Sequence, residues 1–172
     1  LRHLRFSGAY EVEALVFREQ GKFSEAASSL EEGIREAPGV WLLHNLLGST
    51  YSDLGRYEEA LECYRMAGQC GGVDPEFVRY NQSVVLKRQG RLEDALDLCP
   101  ERCQDPELSA RARGFRLELL RMSGRTAESI KLAENCLQSE SKVGQPEECF
   151  VRLRLARALL EMEPPRALRE AI

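Results

Sequence analysis

Histidine is nearly absent. His3 and His44 are the only two in 172 residues, so a His-based triad would have to recruit one of them. No glycine-rich phosphate loop occurs, since Gly71-Gly72 reads as a junction ahead of a helix cap. No apolar run reaches the length of a membrane span, and no secretory leader is visible. A basic excess is missing too: 24 basic against 28 acidic residues leave a net charge of −4. That balance gives no general pull toward nucleic acid or an anionic membrane. It is uneven, with 7 basic and 11 acidic residues in 1–72 and 17 of each in 73–172. Zinc spacing is lacking, because Cys99 and Cys103 are followed by no second pair and no histidine. The six cysteines (Cys63, Cys70, Cys99, Cys103, Cys136, Cys149) fall mostly within helical patterns. Reduced thiols in the cytoplasm are therefore expected rather than a secreted disulfide frame. Acid pairs such as Glu31-Glu32 and Glu58-Glu59 sit on solvent faces of helical patterns. No enzyme, cofactor or metal site is expected from these residues. The chain opens on Leu1 and its last helical pattern stops short, so a piece of a longer protein is the expectation.

What is present is a repeat. GKFSEA (Gly21–Ala26), GRYEEA (Gly55–Ala60), GRLEDA (Gly90–Ala95) and GRTAES (Gly124–Ser129) have glycines 34, 35 and 34 residues apart. A fixed period of this size means stacked copies of one supersecondary unit, none able to bury its apolar face alone. Each glycine ends one helix, where a left-handed conformation costs it little. Four residues before it stand Phe17, Tyr51, Leu86 and Leu120, and seven before it Ala14, Gly48, Ser83 and Leu117. After it come Phe23, Tyr57, Leu92 and Thr126, then Ala26, Ala60, Ala95 and Ser129, then Leu30, Tyr64, Cys99 and Ala133. Steps of three and four place these on one face of each helix. Large residues alternate with small ones, so antiparallel helices can interdigitate closely.

Helix starts repeat as well. Asp74-Pro75-Glu76 and Asp105-Pro106-Glu107 read as a cap, a proline at the first helical position and an acid at the positive end of the dipole. Gln145-Pro146-Glu147 repeats the pattern with a poorer cap. The pattern predicts helices over 8–20, 23–36, 41–53, 57–69, 75–88, 91–99, 106–122, 125–138, 146–161 and 165–172. Pro100 should shorten the second arm of the third hairpin, with irregular stacking beyond it. The polar stretch from Gln138 to Gly144 reads as a longer, mobile loop.

On these residues the chain resembles a tetratricopeptide repeat array. The second copy carries the fullest signature, with Leu47-Gly48, Tyr51, Gly55, Tyr57, Ala60, Tyr64 and Ala67. The first ends on Pro38, where the family often has proline. The third keeps Tyr80-Asn81 and Ala95 but has Cys99 and Arg102 where an aromatic and Ala are usual. The fourth has Leu117 for the small residue and Ser129 for Ala. A degenerate fifth spans 146–172, with Pro164-Pro165 at its turn. A Sel1-like array, with a longer and more variable period, fits less well. The expectation is one all-α solenoid domain over 1–172, with repeats at about 7–40, 41–74, 75–105, 106–140 and 146–172. The resemblance implies a right-handed superhelix with first helices lining the concave side.

It also implies which positions line that groove: Glu11, Leu15, Arg18 and Glu19 in the first copy, then Leu42, Asn45, Ser49, Ser52 and Asp53. The third copy supplies Phe77, Tyr80, Val84, Lys87 and Arg88, and the fourth Arg111, Glu118, Arg121 and Met122. An aromatic anchor beside cations suits a peptide with an apolar side chain and acids. Asn45 and Ser49 stand where a clamp for a terminal carboxylate would want Lys and Asn, which argues against that ligand. His44 reads as a packing residue in place of an aromatic. The expected function is a non-enzymatic scaffold binding a protein or peptide, acidic in character. Alternatives are self-association through an open terminal repeat, or recruitment of substrate for a larger enzyme. RNA ranks last, because the groove lacks a continuous basic stripe, and no membrane partner is expected.

Overall fold

A computed structural model describes the backbone of residues 2–140 and the side chains of residues 7–135. The expected fifth repeat at 146–172, its Pro164-Pro165 turn and the polar stretch beyond Glu140 lie outside the described residues. Among the described residues eight helices follow in order: α1 (Arg2–Glu19), α2 (Phe23–Glu36), α3 (Trp41–Asp53), α4 (Tyr57–Gln69), α5 (Pro75–Arg88), α6 (Leu92–Leu98), α7 (Pro106–Met122) and α8 (Thr126–Glu140). No strand occurs among the described residues. The architecture is an all-α helical-repeat solenoid of antiparallel hairpins.

The turn glycines do what the period requires. Gly21, Gly55, Gly90 and Gly124 have φ between 72° and 79°. Around each, the same two bonds cap the preceding helix. Lys22 N–H donates to Phe17 O at 2.8 Å and Gly21 N–H to Arg18 O at 2.9 Å, and the pattern recurs at Arg56, Arg91 and Arg125. This is a Schellman closure, which satisfies carbonyls that a helix end leaves unpaired. The Asp-Pro-Glu starts are capped as expected: Asp74 Oδ1 accepts from Glu76 N–H and Asp105 Oδ1 from Glu107 N–H, each at 2.9 Å.

Two departures have local causes. α1 begins at Arg2 and not near residue 8, because nothing before Gly8 breaks a helix and one interior glycine costs only about 1 kcal/mol. α8 runs through Glu140, so the loop expected from Gln138 does not start there. α6 is 7 residues long, the short arm that Pro100 was expected to impose.

The chain divides into two compact units, Leu1–Leu98 and Cys99–Ile172. In the first, Ala14, Ala26, Leu30, Leu43, Leu47, Tyr51, Ala60, Tyr64 and Val85 form a continuous buried core. Burying each large side chain contributes about 1.5–3 kcal/mol. Small residues set how closely the helices approach. A Cβ on Gly48 would stand 3.1 Å from the Tyr64 ring and 3.2 Å from Ala60 O, and one on Gly33 2.9 Å from the Tyr10 ring. In the second unit α7 packs on α8, and Leu108, Ala112, Phe115, Leu117, Leu120 and Ala133 are buried. There Arg116 donates to Cys99 O at 3.2 Å and pairs with Glu101 at 3.1 Å, while Ser129 Oγ donates to Leu117 O at 3.3 Å.

Candidate functional site

Within the first unit the first helices touch one another, α1 on α3 and α3 on α5. Among the described residues α2 makes no contact with α4, nor α4 with α6. In this unit the first helices therefore stand closer to one another than the second helices do. Side chains of the first helices are tied together by two polar ladders.

One ladder is ionic. Arg18 of α1 meets Asp53 of α3 at 2.9 Å, and Arg88 of α5 meets the other carboxylate oxygen at 2.7 Å. Arg88 also donates to Ser52 Oγ at 2.9 Å. The Asp53 side chain is 21% exposed, so this pairing is only partly screened by solvent. The other ladder is neutral: Asn81 Nδ2 of α5 donates to Asn45 Oδ1 of α3 at 2.9 Å. Ser49 Oγ, between the two, donates to Leu46 O at 2.9 Å. At the opposite end of the same helices, the rings of Trp41 and Phe77 meet edge to face, with centroids 6.3 Å apart. Gly72 lies beside this pair, its Cβ position 3.8 Å from Trp41 Cδ1.

Of the sequence-predicted groove residues, Asn45 and Ser49 lie on α3, and Phe77, Tyr80, Val84, Lys87 and Arg88 on α5. Tyr80, Val84 and Lys87 are half-buried and Arg88 is exposed. Arg111, Glu118 and Arg121 share α7 in the second unit, with Arg111 exposed and the others half-buried. Arg88 is not simply a solvated cation, because Asp53 and Ser52 fix its direction. Sequence reasoning passed over Trp41 and Asn81. The signal for both was available, because Trp41 starts α3 as Pro75 starts α5, and Asn45 and Asn81 lie nearly one repeat apart.

Other candidates take structural roles. His44 is buried, and its Nε2 lies 2.9 Å from Pro38 O. Burial pushes the Cys63 thiol up to about 12, with Glu62 and Glu31 adding to it. Cys63, Cys70, Cys99 and Cys103 form no disulfide. Burial and the hydrogen bond to Glu31 push the Tyr51 phenol up to about 12. Among the described residues, no three His, Cys, Asp or Glu side chains converge as a metal set, and no helix is long and apolar enough to cross a membrane.

The tetratricopeptide repeat profile matches residues 12–75, which span the first two hairpins and the closing turn. Over these 64 of the 172 residues the chain is similar to the tetratricopeptide repeat family. Solved structures agree at the level of fold. A Podosopora anserina chain described as a kinesin light chain with nearly identical TPR-like repeats superposes with a TM-score of 0.74 at 16% identity. It is matched over 91% of this chain and 86% of its own length. Pseudomonas aeruginosa pilF gives 0.72 at 21% identity, over 94% and 71% of the two chains. MamA gives 0.56 at 14% identity, over 86% and 92%. No curated protein sequence matches the chain significantly. Tetratricopeptide repeats generally serve as protein–protein interaction scaffolds.

Proposed function

We propose that the first unit binds an extended segment of a partner protein along the row of α1, α3 and α5. Trp41 and Phe77 present aromatic surface for an apolar side chain at one end. Asn45 and Asn81 use one donor and one acceptor on each other. Their remaining amide N–H and C=O groups match the main chain of an extended peptide. At the far end Arg18, Lys87 and Arg88 stand against Asp53 and Glu19, a balance that favours an acidic group on the ligand. The observation that carries this reading is the double ladder itself. Polar groups of three first helices that are directed by one another cost less to order on binding, which supports this reading.

The test uses the chain as bait in cell extract beside Lys87→Glu/Arg88→Glu and Trp41→Ala/Phe77→Ala variants, after circular dichroism shows equal helicity. The partner should be held by the parent and lost by both variants. A partner held equally by all three would move recognition off this row.

A further inference from the structure

The seam between α3 and α5 carries three cross-helix contacts in step. Trp41 meets Phe77, Asn45 meets Asn81, and Ser52 meets Arg88, each pair 36 residues apart. On both helices these positions advance by four residues and then by seven, so each set lies on one stripe of its helix. The seam is aromatic at one end, amide in the middle and cationic at the other. Trp41 and Phe77 are half-buried, which leaves part of each ring open to a ligand.

The cationic end is unbalanced. Arg18 and Arg88 share the single carboxylate of Asp53. Both bonds of Arg88 leave from Nη1, one to Ser52 Oγ and one to Asp53 Oδ1. Its Nη2 and Nε make no bond among the described residues, and the side chain is 45% exposed. That edge of the guanidinium matches the two oxygens of a carboxylate.

Length fixes the spacing a ligand needs. Phe77 and Arg88 are 11 residues apart on α5, about 17 Å along a helix axis. A strand rises about 3.3 Å per residue and returns its side chains to one face every second residue. A polyproline-type chain rises about 3.1 Å and does so every third. Six residues is the separation at which both return to one face, about 19–20 Å apart. Four residues of strand span only about 13 Å, and five put the two side chains on opposite faces. We infer, on the groove reading above, that the α3–α5 seam takes an extended peptide in which a large apolar residue and a carboxylate side chain stand six positions apart. The apolar side chain sits against Trp41 and Phe77, and the carboxylate on the Nε–Nη2 edge of Arg88. The main chain between them lies on the amides of Asn45 and Asn81.

Trp41 is the only tryptophan, so its fluorescence reports on one end of the seam. The probes are acetylated and amidated Ser/Thr peptides carrying one Leu and one Glu, three to eight positions apart, in both orders. In one of the two orders, spacing six should bind tightest, by about fivefold or more over spacings four and five. Replacing its Glu by Gln should cost a similar factor in the parent and nothing in Arg88→Gln. Replacing its Leu by Ser should cost a similar factor in the parent and nothing in Phe77→Ala. Both variants are first matched to the parent by circular dichroism. An affinity independent of spacing, or tightest at another spacing, overturns the inference, and leaves the groove reading standing if both variants still weaken the peptides. Binding that neither variant weakens, or no binding by any peptide up to about 1 mM, overturns it too. Loss of a captured cell partner from Lys87→Glu/Arg88→Glu would then still uphold the groove.

Discussion

The two rows of helices differ in their ion pairs: Arg79–Glu76 on α5 apart, the pairs on the first helices of the first unit cross from one helix to the next. On the second helices the pairs are local: Arg56 with Glu59 at 2.8 Å, Glu62 with Arg65, and Arg125 with Glu128 at 2.7 Å, each three residues apart. On the first helices Asp53 joins α1, α3 and α5 through Arg18 and Arg88, and Asn45 joins α3 to α5. A pair within one turn is formed as soon as the helix forms and says nothing about the neighbour. A pair between helices exists only when the hairpins are stacked in register. The same residue types therefore support single helices on one row and tie neighbouring helices together on the other.

The largest expected effect comes from bulk between the rows. Ala60 is fully buried and its carbonyl faces Gly48, so Ala60→Leu should cost about 1–3 kcal/mol in urea unfolding. An unchanged midpoint would show that the rows are not held by close approach. Next, a double-mutant cycle on Asp53 and Arg88 should give a coupling of about 0.5–1 kcal/mol, reduced by the partial exposure of both partners. The matching cycle on Arg56 and Glu59 should give no resolvable coupling. Equal couplings would erase the distinction between the rows. A pH series sharpens it further. Tyr51 has its phenol raised to about 12, first by burial and then by the Glu31 hydrogen bond. Its contribution to stability is whole below the ordinary tyrosine value near 10 and is lost as pH rises from there toward 12. Tyr51→Phe should flatten that alkaline loss, and a slope that survives the substitution would assign it elsewhere. The smallest effect is chemical: with its thiol raised to about 12 by burial, Cys63 should lag in alkylation at pH 8. Labelling of Cys63 at the rate of an unfolded control would mean that α4 opens readily.

Much of this was legible in the residues because it repeats. The bounds of α2, α3, α4, α5 and α7 follow from the positive-φ glycines, the Asp-Pro-Glu caps and the steps of three and four. The buried set follows from the same count, including the small residues Ala14, Ala26, Ser83, Ala95, Ser129 and Ala133. Boundaries failed where no stop signal was written, before Gly8 and after Gln138. Groove positions were legible as places on a face, but their partners were not. Arg88 read as a cation for a ligand, while in the structure it spends part of its donors on Asp53 and Ser52. Trp41 was overlooked because the repeat frame begins counting after it.

Sequence alone determined the hairpin, since periodicity, turn glycines and caps act within about forty residues and need no distant neighbour. Only tertiary structure decided which polar residues meet. Asn45 and Asn81, or Arg18, Asp53 and Arg88, stand some 35 residues apart in the chain. Their contact depends on how one hairpin is translated and rotated against the next, which is set by the packing of Leu43, Leu47, Tyr51 and Val85.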